Sequence, residues 1–157
     1  MNTLRRLSLL PALFVLSLAA YAQAPSPFEG KWVFSPADSI FSPGPLPQSE
    51  TLTFTNGALT VEGVGPKGQK FLWSFTPVAG QPVLVTGRDH LTVETKETAD
   101  TIVHMWSDAS GTSYGEGHLS PDGKTLRYVL TGTRWGNHVY EVSVFNRADP
   151  TVATTAH

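Results

Sequence analysis

The sequence contains no cysteine among its 157 residues. Disulfide bonds, thiolate metal sites and a cysteine nucleophile are therefore excluded. Charged residues are also scarce, at 15% of the chain, where an average soluble protein has roughly 25%. Hydrophobic residues make up 40%, which is enough to build a core, so extended disorder is not expected.

A surplus of positive charge is missing as well. The formal net charge is −2, and removing Arg5 and Arg6 with the N-terminal signal described below leaves nine basic against thirteen acidic residues. Binding to nucleic acid or to an anionic membrane requires a basic patch. We therefore expect no nucleic-acid partner and, once the signal is removed, no membrane partner.

The N-terminus has the three parts of a secretory signal. Residues 1–6 carry two arginines, residues 7–20 are mainly apolar, and Ala22 and Ala24 place small residues at a cleavage site. The apolar run is shorter than the roughly 20 residues of a membrane anchor. We expect a signal peptide at 1–24, one domain at 25–149, a flexible tail at 150–157, and a secreted or periplasmic protein.

Beyond Ala24 the pattern favours strands. No long stretch has helical spacing of apolar residues, whereas short runs rich in Val, Thr, Phe and Trp recur between turn signals such as Asn56-Gly57. The expected strands span 31–34, 50–55, 58–63, 69–76, 82–86, 90–96, 100–107, 111–119, 124–133 and 137–147, with 82–86 only a short extended piece. Residues 35–49 hold four prolines and are expected to form a wrapping loop.

The short connections between strands determine the expected topology. Connections of two to five residues join antiparallel neighbours. A sandwich is the alternative, but its Greek-key connections require a long return segment within the strand series, whereas closing a meander removes its exposed edges. The sequence therefore predicts an all-β fold, a single antiparallel up-and-down β-barrel of about eight to nine strands.

Centring each hairpin on its turn predicts which side chains face the interior. In the first half, Phe54 lies opposite Leu59 and Leu52 opposite Val61. In the second half, turns near Ala99, Ala109, Asp122 and Trp135-Gly136 place one set of polar and aromatic residues on a shared inner face. The expected strand 69–76 adds Trp73 to this set. The expected ligand-binding residues are therefore Trp73, His104, Trp106, Tyr114, Glu116, Arg127 and Tyr140.

This assignment leaves one anomaly. Leu126, Tyr128, Leu130 and Phe145 fall on the outer face, although they are large and mostly apolar. The proline-rich loop, the N-terminal segment or a partner could cover them, or the register could be wrong.

The sequence offers little support for a catalytic site or a metal site. None of the five histidines sits in a His-x-His or His-x-x-x-His pair, so we expect no metal and no cofactor. No Gly-x-Ser-x-Gly elbow is present, and no residue is assigned as catalytic. Glu116 with Arg127 is the one pair of chemical interest, because a carboxylate inside a barrel is costly unless it is paired. A structural ion pair, or a pair that lies outward in solvent, is favoured over a functional one.

Gly30-Lys31-Trp32 at the start of the first strand resembles the Gly-x-Trp signature of lipocalins. The resemblance implies that the tryptophan closes the base of the barrel and that an arginine of the last strand, here Arg147, packs over it. Gly30, Trp32 and Arg147 are therefore expected to be structural. The chain departs from lipocalins in lacking a helix after the barrel and a Thr-Asp-Tyr segment.

The chain also resembles small secreted bacterial proteins. The matching segments are Gly30-Lys31-Trp32, the Phe-x-Pro-Gly-Pro-x-Pro-x-Ser segment at 41–49, the segments 82–87 and 120–126, and the closing strand 140–147. The resemblance covers most of the chain after the signal. It implies a lipocalin-like barrel, and it brings no activity and no catalytic residues.

Three functions are compatible with such a barrel. The leading one is binding of a small hydrophobic or amphipathic ligand, because a barrel of eight strands is just wide enough to hold one. An enzyme of the cyclase or isomerase type, less favoured, would use Glu116, His104 or Tyr114 as acid or base. A filled barrel acting as an envelope or interaction protein would have no internal space. The sequence does not indicate an oligomeric state.

Overall fold

The computed structural model describes residues 26–148. The expected signal peptide at 1–24 and tail at 150–157 lie outside the described residues. Within residues 26–148 no segment forms an α-helix, and accordingly no helix there is long and apolar enough to cross a membrane.

Eleven strands form one antiparallel sheet, and a short 3-10 turn at Pro36–Asp38 is the remaining regular element of the described chain. The strands are β1 (Gly30–Phe34), β2 (Ile40–Ser42), β3 (Ser49–Thr55), β4 (Ala58–Val64), β5 (Lys70–Phe75), β6 (Val83–Leu84), β7 (Thr92–Glu97), β8 (Thr101–Asp108), β9 (Gly111–Leu119), β10 (Thr125–Arg134) and β11 (Asn137–Arg147).

The sheet curls into a ring in which most neighbours are consecutive in the chain. The order is β5-β4-β3-β1-β11-β10-β9-β8-β7-β6. The first strand, β1, therefore pairs with the last strand, β11, and this pairing joins the two halves of the sheet. The remaining gap between β5 and β6 is bridged by Ser74 and Thr86, whose backbones exchange hydrogen bonds of 3.0 and 2.9 Å. The expected all-β, up-and-down barrel is confirmed, with more strands than the eight to nine expected.

Strand β2 lies in the segment expected to be a wrapping loop. β1 and β2 pair with the same strand, β11, one after the other. Phe34 of β1 pairs with Phe145 of β11, and Ile40 of β2 pairs with Val142. Proline cannot donate to a sheet ladder, but Pro36 lies in the 3-10 turn and the next proline is Pro43. Residues 40–42 are therefore free to pair, and the loop prediction was wrong for them.

The predicted register is right where the turn was read correctly. Phe54 pairs with Leu59 and Leu52 with Val61, as expected from Asn56-Gly57. The β10–β11 hairpin is also as expected, with Thr131 opposite Tyr140. The β7–β8 and β9–β10 hairpins are each shifted by two residues, which leaves every side chain on its expected face because the strand period is two.

The β8–β9 hairpin is shifted by one residue, and this reverses the second half of the assignment. His104 lies opposite Gly115, where Tyr114 was expected. The turn has two residues between Asp108 and Gly111, with Asp108 Oδ1 accepting hydrogen bonds from the Ser110 backbone and hydroxyl. A slip of one residue moves all side chains to the other face, so the inward and outward sets of β9, β10 and β11 are exchanged.

The core confirms the reversed assignment. Leu126, Leu130 and Phe145 are buried, and Leu126 and Phe145 belong to the main hydrophobic cluster with Trp32 and Phe75. Of the four explanations for the anomalous outer-face residues, a wrong register is the correct one.

Candidate functional site

One end of the barrel is closed by Trp32 and Arg147. Trp32 is fully buried, and its Nε1 donates a hydrogen bond of 2.8 Å to the Phe28 carbonyl. The Arg147 guanidinium lies 4.1 Å from the centre of the Trp32 ring. Its Nε, Nη1 and Nη2 donate to the carbonyls of Gly123 at 2.8 Å, Glu29 at 2.6 Å and Pro27 at 2.7 Å. This is the contact that the Gly-x-Trp resemblance implies.

Gly30 makes room for this closure. Its φ of +114° is one that residues with a side chain rarely adopt. A Cβ at Gly30 would also lie 3.2 Å from Arg147 Nη1. The glycine of the Gly-x-Trp motif therefore has a local physical reason here.

The opposite end is open and leads into a cavity of about 730 Å³. Its mouth is formed by the β4–β5, β8–β9 and β10–β11 turns, the loop before β7, and the prolines that follow β2. Deeper in the barrel the wall is mainly aromatic and aliphatic, from Phe41, Leu52, Phe54, Phe71, Trp73, Trp106, Leu126 and Phe145. Trp73 and Trp106 meet edge to face, with ring centres 5.6 Å apart.

A small polar network interrupts the apolar wall. Trp106 Nε1 donates a hydrogen bond of 3.0 Å to the Tyr128 hydroxyl, which lies 3.1 Å from His104 Nδ1. Burial raises the pKa of Tyr128 and lowers that of His104 to about 3, so both rings are neutral at pH 7. His104 is 3% exposed, and among the described residues its Nε2 has no hydrogen-bond partner.

Gly115 allows Tyr128 to take this position. Gly115 lies opposite both His104 and Leu130 in the sheet. A Cβ on Gly115 would overlap the Tyr128 hydroxyl. Gly115 thus makes space beneath the Tyr128 ring, while strand pairing continues across it.

Six charged side chains border the cavity. Four of them, Glu50, Arg88, Arg134 and Glu141, act on one another's ionisation and are called the charged ring below. Arg134 and Glu141 form an ion pair at 3.7 Å. Burial, assisted by repulsion from Glu141, raises the pKa of Glu50 to about 7, against the attraction of Arg88. Burial also raises the pKa of Glu141 and, with repulsion from Arg134, lowers that of Arg88. This ring can therefore change its charge near neutral pH.

Three of the seven expected ligand-binding residues face the cavity, namely Trp73, His104 and Trp106. The other four, Tyr114, Glu116, Arg127 and Tyr140, lie on the outer face of the sheet. The one-residue slip at the β8–β9 hairpin is the reason. Their expected position inside the barrel is therefore corrected.

The expected Glu116–Arg127 pair does not form. On the outer face Glu116 accepts a hydrogen bond of 2.7 Å from the Tyr114 hydroxyl and lies 2.7 Å from His118 Nε2. Its hydrogen bond to Tyr114 lowers the pKa of Glu116. Arg127 is exposed and lies opposite His118 in the sheet. His118 thus faces away from His104.

The sequence held partial signals for the residues that were missed. Glu50 shares its strand face with Leu52 and Phe54, whose inward orientation the Asn56-Gly57 hairpin already indicated. Tyr128 belongs to the anomalous apolar set. Asp108 and Gly111 occupy the first and fourth positions typical of a type I turn, which would have corrected the register. No sequence signal places Arg88, because it lies in a loop.

Within the part of the chain that the structure describes, no group of three or more His, Asp or Glu side chains is arranged to hold a metal ion. No protein-family model matches the sequence, and no curated protein matches it.

Solved structures share the architecture. The fatty-acid-binding protein 1 of Echinococcus granulosus superposes with a TM-score of 0.55 at 15% identity, over 78% of this chain and 98% of that one. This barrel has the fold of the fatty-acid-binding proteins. The fatty acid binding protein of Schistosoma mansoni in complex with arachidonic acid gives a TM-score of 0.52 at 15% identity, over 79% and 98% of the two chains.

A mutant of the fluorescent protein UnaG gives a TM-score of 0.51 at 17% identity, covering 78% of this chain and 97% of that one. Identities this low show a shared lipocalin-like barrel fold. They do not transfer a ligand, because one fold carries many functions.

Proposed function

We propose that this protein is a secreted or periplasmic carrier that binds a small hydrophobic or amphipathic molecule inside its barrel. The observation that carries the proposal is the open cavity of about 730 Å³ lined by Trp73, Trp106 and Phe71. Ligand pockets typically have about 300–1,000 Å³, mostly apolar walls and a few polar groups. Fatty-acid-binding barrels of the same fold add support.

The two alternatives have weaker support. A filled barrel would leave no space for a ligand, whereas this cavity is open. An enzyme using Glu116 or Tyr114 would need these groups in the cavity, and both lie on the outer face. His104 remains inside, held by Tyr128.

Secretion is proposed from the pattern at residues 1–24. N-terminal sequencing of the protein from its own host should find a chain that starts near Pro25. A chain that retains Met1 in the membrane fraction would refute export and processing.

Tryptophan fluorescence tests ligand binding directly. Three of the four tryptophans line the cavity, Trp73 and Trp106 on its wall and Trp135 at its mouth, whereas Trp32 is buried at the closed end. Trp135 is 80% exposed at the mouth, so a Trp135→Phe background removes its solvent-exposed signal. Titration with fatty acids, retinoids and aromatic acids should give a saturable change in this background.

A matched pair of variants locates the binding. Leu130→Trp inserts a large side chain into the cavity, and Thr131→Trp adds the same side chain on the exposed outer face of the same strand. The first should weaken binding at least tenfold, the second less than twofold, and circular dichroism checks that both fold. No saturable response with any ligand class, or equal binding by the two variants, would refute the proposal.

A further inference from the structure

The charged ring at the open end is unusual because its opposite charges are incompletely paired. Arg134 pairs with Glu141, but none of the ion pairs within residues 26–148 joins Glu50 to Arg88. Glu50 and Arg88 nevertheless line the same cavity and influence each other's charge. Both side chains are therefore available to a ligand group in this cavity.

Arg88 is positioned on an aromatic surface. Its guanidinium lies 5.8 Å from the centre of the Trp73 ring, which also forms part of the apolar wall. A cation over an indole is attracted to the ring, and the N–H groups of a guanidinium remain donors for another partner. An apolar chain packed on Trp73 would thus end close to the positive charge of Arg88.

Glu50 decides whether an anion is accepted there. Within the charged ring, ionised Glu50 and Glu141 balance Arg88 and Arg134. With Glu50 neutral, the ring carries one net positive charge, and the carboxyl O–H becomes a hydrogen-bond donor.

We propose that the open end of the cavity binds the carboxylate of a long-chain acid between Arg88 and Glu50, and that Glu50 takes up one proton from solvent when the ligand binds. This inference rests on the proposed function. The proton comes from hydronium or the acid form of the buffer, whose bond to the proton breaks, and it forms an O–H bond with a Glu50 carboxylate oxygen. This O–H then donates a hydrogen bond to the ligand carboxylate, and no covalent bond of the ligand changes.

Other charged and titratable groups face Glu50 from the neighbouring elements. They are Glu141 on β11, Tyr128 and Arg134 on β10, and Arg88 before β7. Tyr128 stays neutral because burial raises its pKa, and Glu141 is held by Arg134. Asp89 and Asp108 also border the mouth, but neither is among the groups that shift the pKa of Glu50 or of Arg88, and Asp108 is bound to Ser110.

The pKa of Glu50 sets the expected size of the effect. The pKa of Glu50 is about 7 because burial, with repulsion from Glu141, disfavours its ionised form. The protonated fraction of the free protein falls from about 0.9 at pH 6 to about 0.1 at pH 8. If only the protonated form accepts the acid, the affinity for it should fall about tenfold over this range.

The experiment compares three probes with the same twelve-carbon chain. Dodecanoate, dodecanol and dodecylammonium are titrated against the protein at pH 6, 7 and 8, below their aggregation concentrations. Dodecanoate is ionised throughout, because carboxylic acids have pKa values near 4. Its binding should weaken about tenfold from pH 6 to pH 8, while dodecanol binding should change less than twofold. Calorimetry in buffers of different ionisation enthalpy should detect uptake of about 0.9 proton at pH 8.

Two variants assign the effect to Glu50. Glu50→Gln keeps a donor at every pH, so dodecanoate should bind it with the same affinity at pH 6 and pH 8 and without proton uptake. Glu62→Gln is the matched control, since Glu62 is an exposed residue of the adjacent strand β4. It should retain the tenfold dependence.

The outcomes separate this inference from the proposed function. If neither dodecanol nor dodecanoate binds, the carrier proposal fails, and the inference falls with it. If both bind but the affinity for dodecanoate does not change with pH, or changes equally in Glu50→Gln, the carrier stands and the inference is refuted. Tighter binding of dodecylammonium than of dodecanoate at pH 6 would also refute it.

Discussion

Removing the Trp32 side chain tests the closed end of the barrel. Trp32 is fully buried, and Arg147 covers its ring at 4.1 Å. Trp32→Ala should lower the free energy of unfolding by about 3–5 kcal/mol, the usual loss for a buried aromatic side chain. It also removes the donor to the Phe28 carbonyl, which ties the N-terminal segment to the barrel.

Arg147→Ala should cost less, about 2–3 kcal/mol, although Arg147 donates three hydrogen bonds. Hydrogen bonds to a charged group contribute about 1.5–3 kcal/mol each when deeply buried. Here the Arg147 side chain is only partly buried, so water can replace part of this contribution. Because Trp32 and Arg147 share one contact, the double variant should lose at least about 1 kcal/mol less than the sum of the single losses.

Urea unfolding followed by circular dichroism measures these losses. With a slope of about 2 kcal/mol per molar urea, Trp32→Ala should lower the midpoint by about 2 M. Trp135→Ala is the matched control, because Trp135 is 80% exposed, and its effect should stay within about 0.5 kcal/mol. A midpoint for Trp32→Ala within about 0.3 M of the wild-type value would refute the role assigned to this end.

Four further predictions concern the interior and the outer face. Gly115→Ala should displace Tyr128, costing about 1–3 kcal/mol in urea unfolding through overpacking and weakening ligand-induced fluorescence changes. Thr95→Val should raise stability by about 1 kcal/mol in the same assay, because the Thr95 hydroxyl is buried without a partner in the described chain. The native pKa of Glu50, about 7, exceeds its ordinary value of 4.5, so its stabilising contribution is present below pH 4.5 and is lost as pH rises through 7. The free energy of unfolding of Glu50→Gln, relative to that of the wild type, should therefore rise by up to about 3 kcal/mol between pH 4.5 and pH 8. Equal pH profiles of the two proteins in urea unfolding would contradict this. Arg127→Leu should leave ligand affinity within twofold in the fluorescence titration, since Arg127 is exposed on the outer face; a tenfold loss would contradict the register.

Local sequence patterns were sufficient for the fold class. Period-two runs between short turns predict antiparallel neighbours, and a long meander gains by closing on itself because closure removes its edges. Asn56-Gly57 determined one hairpin register outright, since both residues adopt the positive φ that a two-residue turn needs. Gly30 and Trp32 likewise marked the closed end, where their local geometry decides the packing.

The content of the cavity depended on the length of one turn and on contacts between residues far apart in the chain. One residue more or less in the turn at Ala109-Ser110 exchanges the two faces of three consecutive strands. Turn length alone therefore decided whether Arg127 or Tyr128 faces inward. Glu50, Arg88, Arg134 and Glu141 come from β3, a loop, β10 and β11, far apart in the chain. Only closure of the barrel brings these four together, and burial there, which depends on the whole surrounding wall, shifts the pKa of Glu50 to about 7.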